Sequence, residues 1–157
     1  MRSVLMVCHG NICRSPMAQY VFADMVKKQG IADLFEIDSA ATSREDSCGV
    51  SDEEEGNPMD RRAVAMLLSH GIRPAPHEAR RFSRGDYAMY DDILCMEERN
   101  RRGLLRLLGG DPEGKLLLDY TDAPHDIEDP WYSGDFEKAY REIREGCTGY
   151  LKQFRVK

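Results

Sequence analysis

The stretch Val4-Leu5-Met6-Val7-Cys8-His9-Gly10-Asn11-Ile12-Cys13-Arg14-Ser15-Pro16 decides how this chain is read. Val4 to Val7 is an apolar run of strand length, and Pro16 to Gln29 carries Met17, Tyr20, Val21 and Met25 at helical spacing. Ser15 reads as the N-cap, Pro16 as the first helical residue, and Gly30 as the stop signal. Cys8 to Arg14 is therefore a turn from a strand into a helix. Such a turn aims backbone N–H groups at one point, where the helix dipole favours negative charge. Gly10 lets the backbone turn tightly and approach a ligand closely. Asn11 tolerates a left-handed conformation and can bond nearby backbone. Arg14 offers a planar fork of donors that suits two phosphate oxygens. The whole describes an oxyanion cradle with Cys8 at its floor, where the same positive field favours a nucleophilic thiolate. A Cys-x5-Arg spacing alone is a weak signal, equally compatible with a buried structural cysteine and a surface arginine. Its place between strand and helix, with Gly10, Asn11, Ser15 and Pro16, is what gives it weight.

Outward from that turn, strands alternate with helices. Phe35 to Ser39 reads as a strand, and Thr42 to Pro58 as a polar, acidic loop bearing Gly and Pro. A helix from Arg61 to His70 carries Val64, Leu67 and Leu68 and stops at Gly71. Ala75 to Glu78 is a short extended piece, Ile93 to Met96 a buried strand, and Glu97 to Leu108 a helix ended by Gly109-Gly110. Lys115 to Leu118 reads as another strand and Asp119 to Ser133 as an acidic, Pro-containing loop. Phe136, Tyr140, Ile143, Cys147, Tyr150, Leu151 and Phe154 keep one face of a long last helix. The alternation predicts a single α/β domain over residues 1–157 with a parallel sheet. Sites in such sheets lie at the carboxyl ends of strands. That selects the first turn and the loop after the last strand, which contains Asp129.

The 157 residues suffice for one sizeable core, and the 41% hydrophobic and 32% charged residues suit a globular protein. A net charge of −6 argues against a nucleic-acid or anionic-membrane binder, and no apolar run is long enough to span a membrane. The N-terminal run is too short for a signal peptide and lacks a small-residue cleavage site. The five cysteines show no zinc spacing and read as cytosolic thiols, which predicts a cytoplasmic protein. Cys95 and Cys147 read as core, Cys48 as an exposed loop thiol. Asp119, Asp122, Asp126, Glu128 and Asp129 lack calcium-loop spacing, so no metal site is expected. Nothing in the pattern asks for a cofactor. Glu53 to Glu55 and the arginines 99, 101, 102 and 106 read as solvated surface, and His70 as a favourable charge at a helix end. From the residues alone Asp129 is not separable from Asp126, and the oligomeric state stays open.

The chain resembles the low-molecular-weight protein tyrosine phosphatases. Their signature is a run like VCxGNICRSPMAE, here Val7 to Gln19. The likeness continues through Asp38-Ser39-Ala40, Pro58 to Ala63, His77-Glu78-Ala79-Arg80 and Asp92 to Met96, and ends with Glu128-Asp129-Pro130-Trp131-Tyr132. The resemblance implies a four-stranded parallel sheet flanked by helices on both faces. It implies Cys8 as nucleophile, Arg14 as phosphoryl binder and Asp129 as general acid, acting on a tyrosine-phosphorylated protein. His9, Gly10, Asn11, Ile12, Cys13, Ser15, Trp131 and Tyr132 would then meet the substrate. Asn11, Ser15, Ser39 and His77 would form the network shaping the loop, and Cys13 would be a redox-active second cysteine. Four features depart from the family pattern: His9 for an apolar residue, Ala41 for glycine, Trp131 for a tyrosine, and a longer loop from Thr42 to Asn57. An arsenate reductase shares the loop but needs resolving cysteines. An arginine phosphatase would carry threonine where this chain has Ile12. A non-catalytic phosphoprotein-binding module is the alternative of another class.

Overall fold

The computed structural model of the chain describes residues 1–42, 58–108 and 115–154. In chain order it contains β1 (Arg2–Cys8), α1 (Arg14–Lys28), β2 (Phe35–Ala41), α2 (Arg61–Ser69), α3 (Arg84–Met89) and β3 (Asp92–Cys95). There follow α4 (Glu98–Leu108), β4 (Lys115–Leu116), α5 (Pro130–Ser133) and α6 (Phe136–Lys152). The strands form one parallel sheet in the order β2-β1-β3-β4. β1 is thus interior to the sheet, with Cys8 opposite Ala41 and Val7 opposite Cys95. Residues 43–57, including Cys48 and the Glu53 to Glu55 run, lie outside the described residues, as does most of the loop expected from Thr42 to Asn57.

The two faces of β1 explain its unbroken apolar run. Side chains alternate across a strand, and a strand covered on both sides needs apolar residues at every position. Val4, Met6 and Cys8 join the larger core with Met17 and Phe22 of α1, Leu67 of α2 and Ile143 and Tyr150 of α6. Leu5 and Val7 join the smaller one with Phe82, Ile93 and Leu104 of α4. The expected sheet, helix-flanked on both faces, is therefore present.

Several local expectations are corrected. Ser15 is not the N-cap: α1 begins at Arg14, Cys13 holds the cap position without a side-chain bond, and Pro16 is the third helical residue. The Ser15 hydroxyl is directed to Cys8 instead. Lys115 to Leu118 is a strand only over its first two residues, because Leu117–Tyr120 winds into a 3-10 turn. The expected loop from Asp119 to Ser133 ends in the short helix α5, capped by Asp129. Ala75 to Glu78 is no strand, and the chain meets the sheet nearby only through a single bridge between Ala41 and Arg81. Helix α3 was not anticipated. A capping box between Ser83 and Asp86 nucleates it, while only Asp86 among its residues is buried. His70 caps α2 and stacks its ring on Tyr140 at 3.9 Å, so it packs as well as caps.

The 3-10 turn rests on α6 through two glycines. A Cβ on Gly146 would lie 2.5 Å from Leu117 Cγ, and one on Gly149 only 2.0 Å from the Tyr120 carbonyl oxygen. Gly149 brings helix backbone against the Tyr120 backbone, Gly146 leaves room for the Leu117 side chain, and together they fix the start of the segment leading to Asp129.

Candidate active site

The loop between β1 and α1 is held from inside and from behind. Asn11 takes a left-handed φ of 57°, the only positive φ at a non-glycine residue among those described. Asparagine bears that conformation better than other side chains, and here its side chain and its carbonyl are all bonded. Its Nδ2 donates to Ser15 Oγ at 2.9 Å, and its Oδ1 accepts from the Arg80 N–H at 3.0 Å. Its carbonyl meets His77 Nε2 at 2.8 Å, and since a carbonyl only accepts, Nε2 carries the proton. Ser15 Oγ is spent as an acceptor for Asn11, so its hydroxyl hydrogen is available to Cys8 Sγ at 3.0 Å. The Ser15 backbone N–H donates to the same sulfur at 3.3 Å. Two donors on one sulfur suit an anionic acceptor.

Arg14 is 1% exposed and is the largest fully buried side chain described. One Nη donates to the Ile127 carbonyl at 2.7 Å and the other to Glu97 Oε1 at 3.2 Å. Asp129 Oδ2 lies 3.5 Å from the same Nη. Burial opposes the guanidinium charge, but Cys8, Glu97 and Asp129 outweigh it and raise its pKa. The fork retains further N–H groups for an anion. Asp129 Oδ1 accepts from the Trp131 N–H at 3.0 Å, which caps α5 and turns the other carboxylate oxygen toward Arg14. Asp126 has a different task, capping α4 through the Glu98 N–H at 3.0 Å. Geometry thus separates the two aspartates that the residues alone did not.

The cleft above Cys8 is bounded by Cys8, His9, Gly10, Ile12, Cys13, Arg14, Asp129, Trp131 and Tyr132, and holds about 360 Å³ with its open mouth included. Asn11 and Ser15, expected to meet the substrate, do not line it; both are fully buried behind the loop. Ser39 is a second correction. Its hydroxyl donates to Gln19 Oε1 at 2.6 Å and so joins α1 to β2 rather than bonding the loop. Burial, then the Asp60 carboxylate, push the Cys13 thiol well above the usual range. Burial does the same to Cys95 and Cys147. Glu97 and the Ile127 carbonyl reach the loop from distant segments with no local signal, while Asp60 and Arg80 lie in stretches that carry the family likeness but gain their roles only from the fold. Among the described residues no group of His, Cys, Asp and Glu side chains is arranged to hold a metal ion.

A family model for low molecular weight phosphotyrosine protein phosphatases matches residues 3–157. The chain is 40% identical to the low molecular weight phosphotyrosine protein phosphatase of Pongo abelii, over 97% of this chain and 95% of that one. Its fold is similar to YfkJ from Bacillus subtilis, with a TM-score of 0.87 and 34% identity over 98% and 94% of the two chains. It is also similar to a low molecular weight protein tyrosine phosphatase from Streptococcus pyogenes, with a TM-score of 0.83 and 29% identity over 100% and 95%. With that match over nearly its whole length, the chain belongs to the low molecular weight phosphotyrosine protein phosphatase family.

Proposed function

We propose that the chain is a cytoplasmic, single-domain protein-tyrosine phosphatase acting through a phosphocysteine. The observation that carries this is the meeting of Cys8 Sγ, the Arg14 fork and the Asp129 carboxylate at one cleft. The Cys8 thiolate attacks phosphorus, an S–P bond forms, and the bond to the tyrosyl oxygen breaks. Asp129 gives that oxygen its proton. The loop amides and Arg14 hold the equatorial oxygens as charge spreads over them. In the second step water attacks the phosphocysteine, Asp129 takes its proton, and the S–P bond breaks to release phosphate and the thiolate. Ser15, donating twice to the sulfur, steadies the thiolate as nucleophile and then as leaving group. No cofactor enters this sequence.

Phosphotyrosine is favoured by depth. Cys8 is 2% exposed at the base of the cleft, so the phosphoester must reach down to it. A tyrosyl ring has that reach and a seryl side chain lacks it, while Ile12, Trp131 and Tyr132 offer apolar walls to the ring. Ile12 has no hydroxyl to pair with a phosphoarginine guanidinium. An arsenate-reducing relay is disfavoured because Cys95 and Cys147 are fully buried thiols. The test is kcat/KM on matched peptides carrying phosphotyrosine, phosphoserine or phosphoarginine, with Cys8→Ser as control. Phosphotyrosine should be preferred and Cys8→Ser inert while still binding phosphate. Turnover by Cys8→Ser within about tenfold of wild type would overturn the mechanism, because a serine hydroxyl is no substitute for a thiolate.

A further inference from the structure

The start of α2 is joined to the loop that bounds the cleft, and nothing in the reaction above uses it. The Asp60 N–H donates to the Ile12 carbonyl at 2.9 Å, so the residue before α2 is stitched to the loop. Asp60 Oδ1 caps α2 through the Arg62 N–H at 2.8 Å. The same carboxylate takes Arg62 Nε at 3.2 Å and Nη2 at 3.2 Å through its two oxygens. That two-point contact fixes the plane of the guanidinium. The fixed guanidinium carbon sits 4.7 Å from the centroid of Phe136 and 5.5 Å from that of Trp131. Phe136 is buried in the core, whereas Trp131 is half exposed on the four-residue helix α5. A helix that short has no stability of its own, so its aromatic ring depends on what it leans against.

We propose that Arg62, locked by Asp60, is a specificity-determining residue: it braces Trp131 and thereby sets the width of the cleft for an aromatic phosphoester. The inference deepens the phosphatase reading and rests on it. Ile12 and Trp131 both line the cleft, and Asp60, bonded to the Ile12 carbonyl, and Arg62, over the Trp131 ring, link them by way of the start of α2. Arg62 touches neither the Arg14 fork nor Cys8, so it acts on recognition of the ring and leaves the chemistry alone. Its partner Trp131 presents an indole, the ring a cation prefers.

Trp131 is the only tryptophan in the sequence, so its fluorescence reports the brace directly. Three variants test the proposal. Arg62→Gln removes the cation, Arg62→Lys keeps the charge without the planar fork, and Asp60→Asn keeps the cap and the backbone bond but loosens the guanidinium. In Arg62→Gln, KM for a phosphotyrosyl peptide should rise about threefold to tenfold, the range for losing one well-placed aromatic contact. Its kcat, and the inhibition constant of inorganic phosphate, which fills only the cradle, should stay within about twofold. Trp131 emission should shift in the same variant, and Arg62→Lys and Asp60→Asn should fall between it and wild type. An unchanged KM overturns the proposal, and so does a parallel rise in KM and the phosphate constant, the mark of a mere structural prop for the loop. A wild-type protein that neither hydrolyses aryl phosphates nor is inhibited by phosphate overturns the proposed function instead. Even then the emission of Arg62→Gln decides whether the brace exists.

Discussion

The two segments that meet at the cleft differ in how much of their own bonding they carry. The loop from Cys8 to Ser15 has a bonded centre of its own, Asn11 to Ser15 and Ser15 to Cys8, backed by His77 and Arg80 on Asn11. The segment from Ala123 to Asp129 has little internal bonding and is pinned by three separate parts of the chain: α1, the junction of β3 with α4, and α6. The Ile127 N–H donates to the Met96 carbonyl at 2.9 Å, and the Ile127 carbonyl accepts from Arg14. Asp126 takes the Glu98 N–H, and His125 reaches Glu142 on α6. The first segment holds a nucleophile whose surroundings are over-determined. The second holds an acid whose place is a sum of distant anchors. A change in the loop should therefore disturb fold and chemistry together, while a change in the acid segment should be able to disturb one without the other.

Removing Asp129 is the sharpest way to break the comparison. Asp129→Ala should slow turnover of phenyl phosphate about 10²–10⁴-fold, the range for a lost general acid. The loss should be smaller for p-nitrophenyl phosphate, whose leaving group needs no proton. Stability should fall only by the ~1 kcal/mol of one helix cap. Equal losses on both esters, measured by steady-state kinetics, would give Asp129 another role.

In the loop the two effects should not separate. Asn11→Gly keeps the left-handed backbone but leaves the Arg80 N–H and the Ser15 hydroxyl without their partner, at about 1–3 kcal/mol for each buried group. Asn11→Ala adds about 1–2 kcal/mol of backbone strain. Both variants should lose stability in urea titration and at least about tenfold in turnover, since each ~1.4 kcal/mol of misplaced catalytic geometry is a factor of ten. Full activity in a destabilised Asn11→Gly would show that the loop is not the over-determined unit described.

The smallest effect concerns pH. His125 Nδ1 faces the Ala123 carbonyl at 2.7 Å and Nε2 faces Glu142 Oε2 at 2.5 Å. Two acceptors favour an imidazolium with two N–H groups, so the bond to Glu142 and then that to Ala123 raise its pKa above the ordinary 6.5. A raised folded-state value means stability fully present below pH 6.5 and lost as pH climbs through the raised value. His125→Gln should therefore lower Tm most on the acid side, with the gap to wild type narrowing as pH rises. A gap that widens with pH would reverse the sign. The side chain is half exposed, so solvent screening keeps the stability effect small.

What was legible in the sequence follows the same division. The strand, turn and helix around Cys8 were readable because their determinants are neighbours: an apolar run, a glycine and asparagine, an arginine entering a helix. Ser15 was placed at the right site in the wrong role, since a serine before Pro16 looks like a cap whether or not its hydroxyl is diverted to a sulfur. Helix α3 left no apolar period to find, because only Asp86 of its six residues is buried. β4 was overextended because Leu117 and Leu118 are apolar and buried for another reason, the packing of a 3-10 turn on α6. Glu97 and the Ile127 carbonyl, which hold Arg14, and Arg62, which leans on Trp131, are partners brought together only by topology. Asp129 itself needed the family resemblance, and the fold then supplied the reason.

Gly146 and Gly149 give this a mutational meaning. They lie on the last helix, among residues that touch no part of the cleft, and a survey of the surface would pass over them. Yet a single methyl group at Gly149 would have to occupy the space of the Tyr120 carbonyl, nine positions before Asp129. Moving that carbonyl moves the point from which the acid-bearing segment departs. In a library of all single substitutions, Gly149 would be as intolerant as the signature loop and Gly146 would tolerate only what a shifted Leu117 side chain allows, and the C-terminal helix would be inherited as part of the catalytic apparatus rather than as a removable brace.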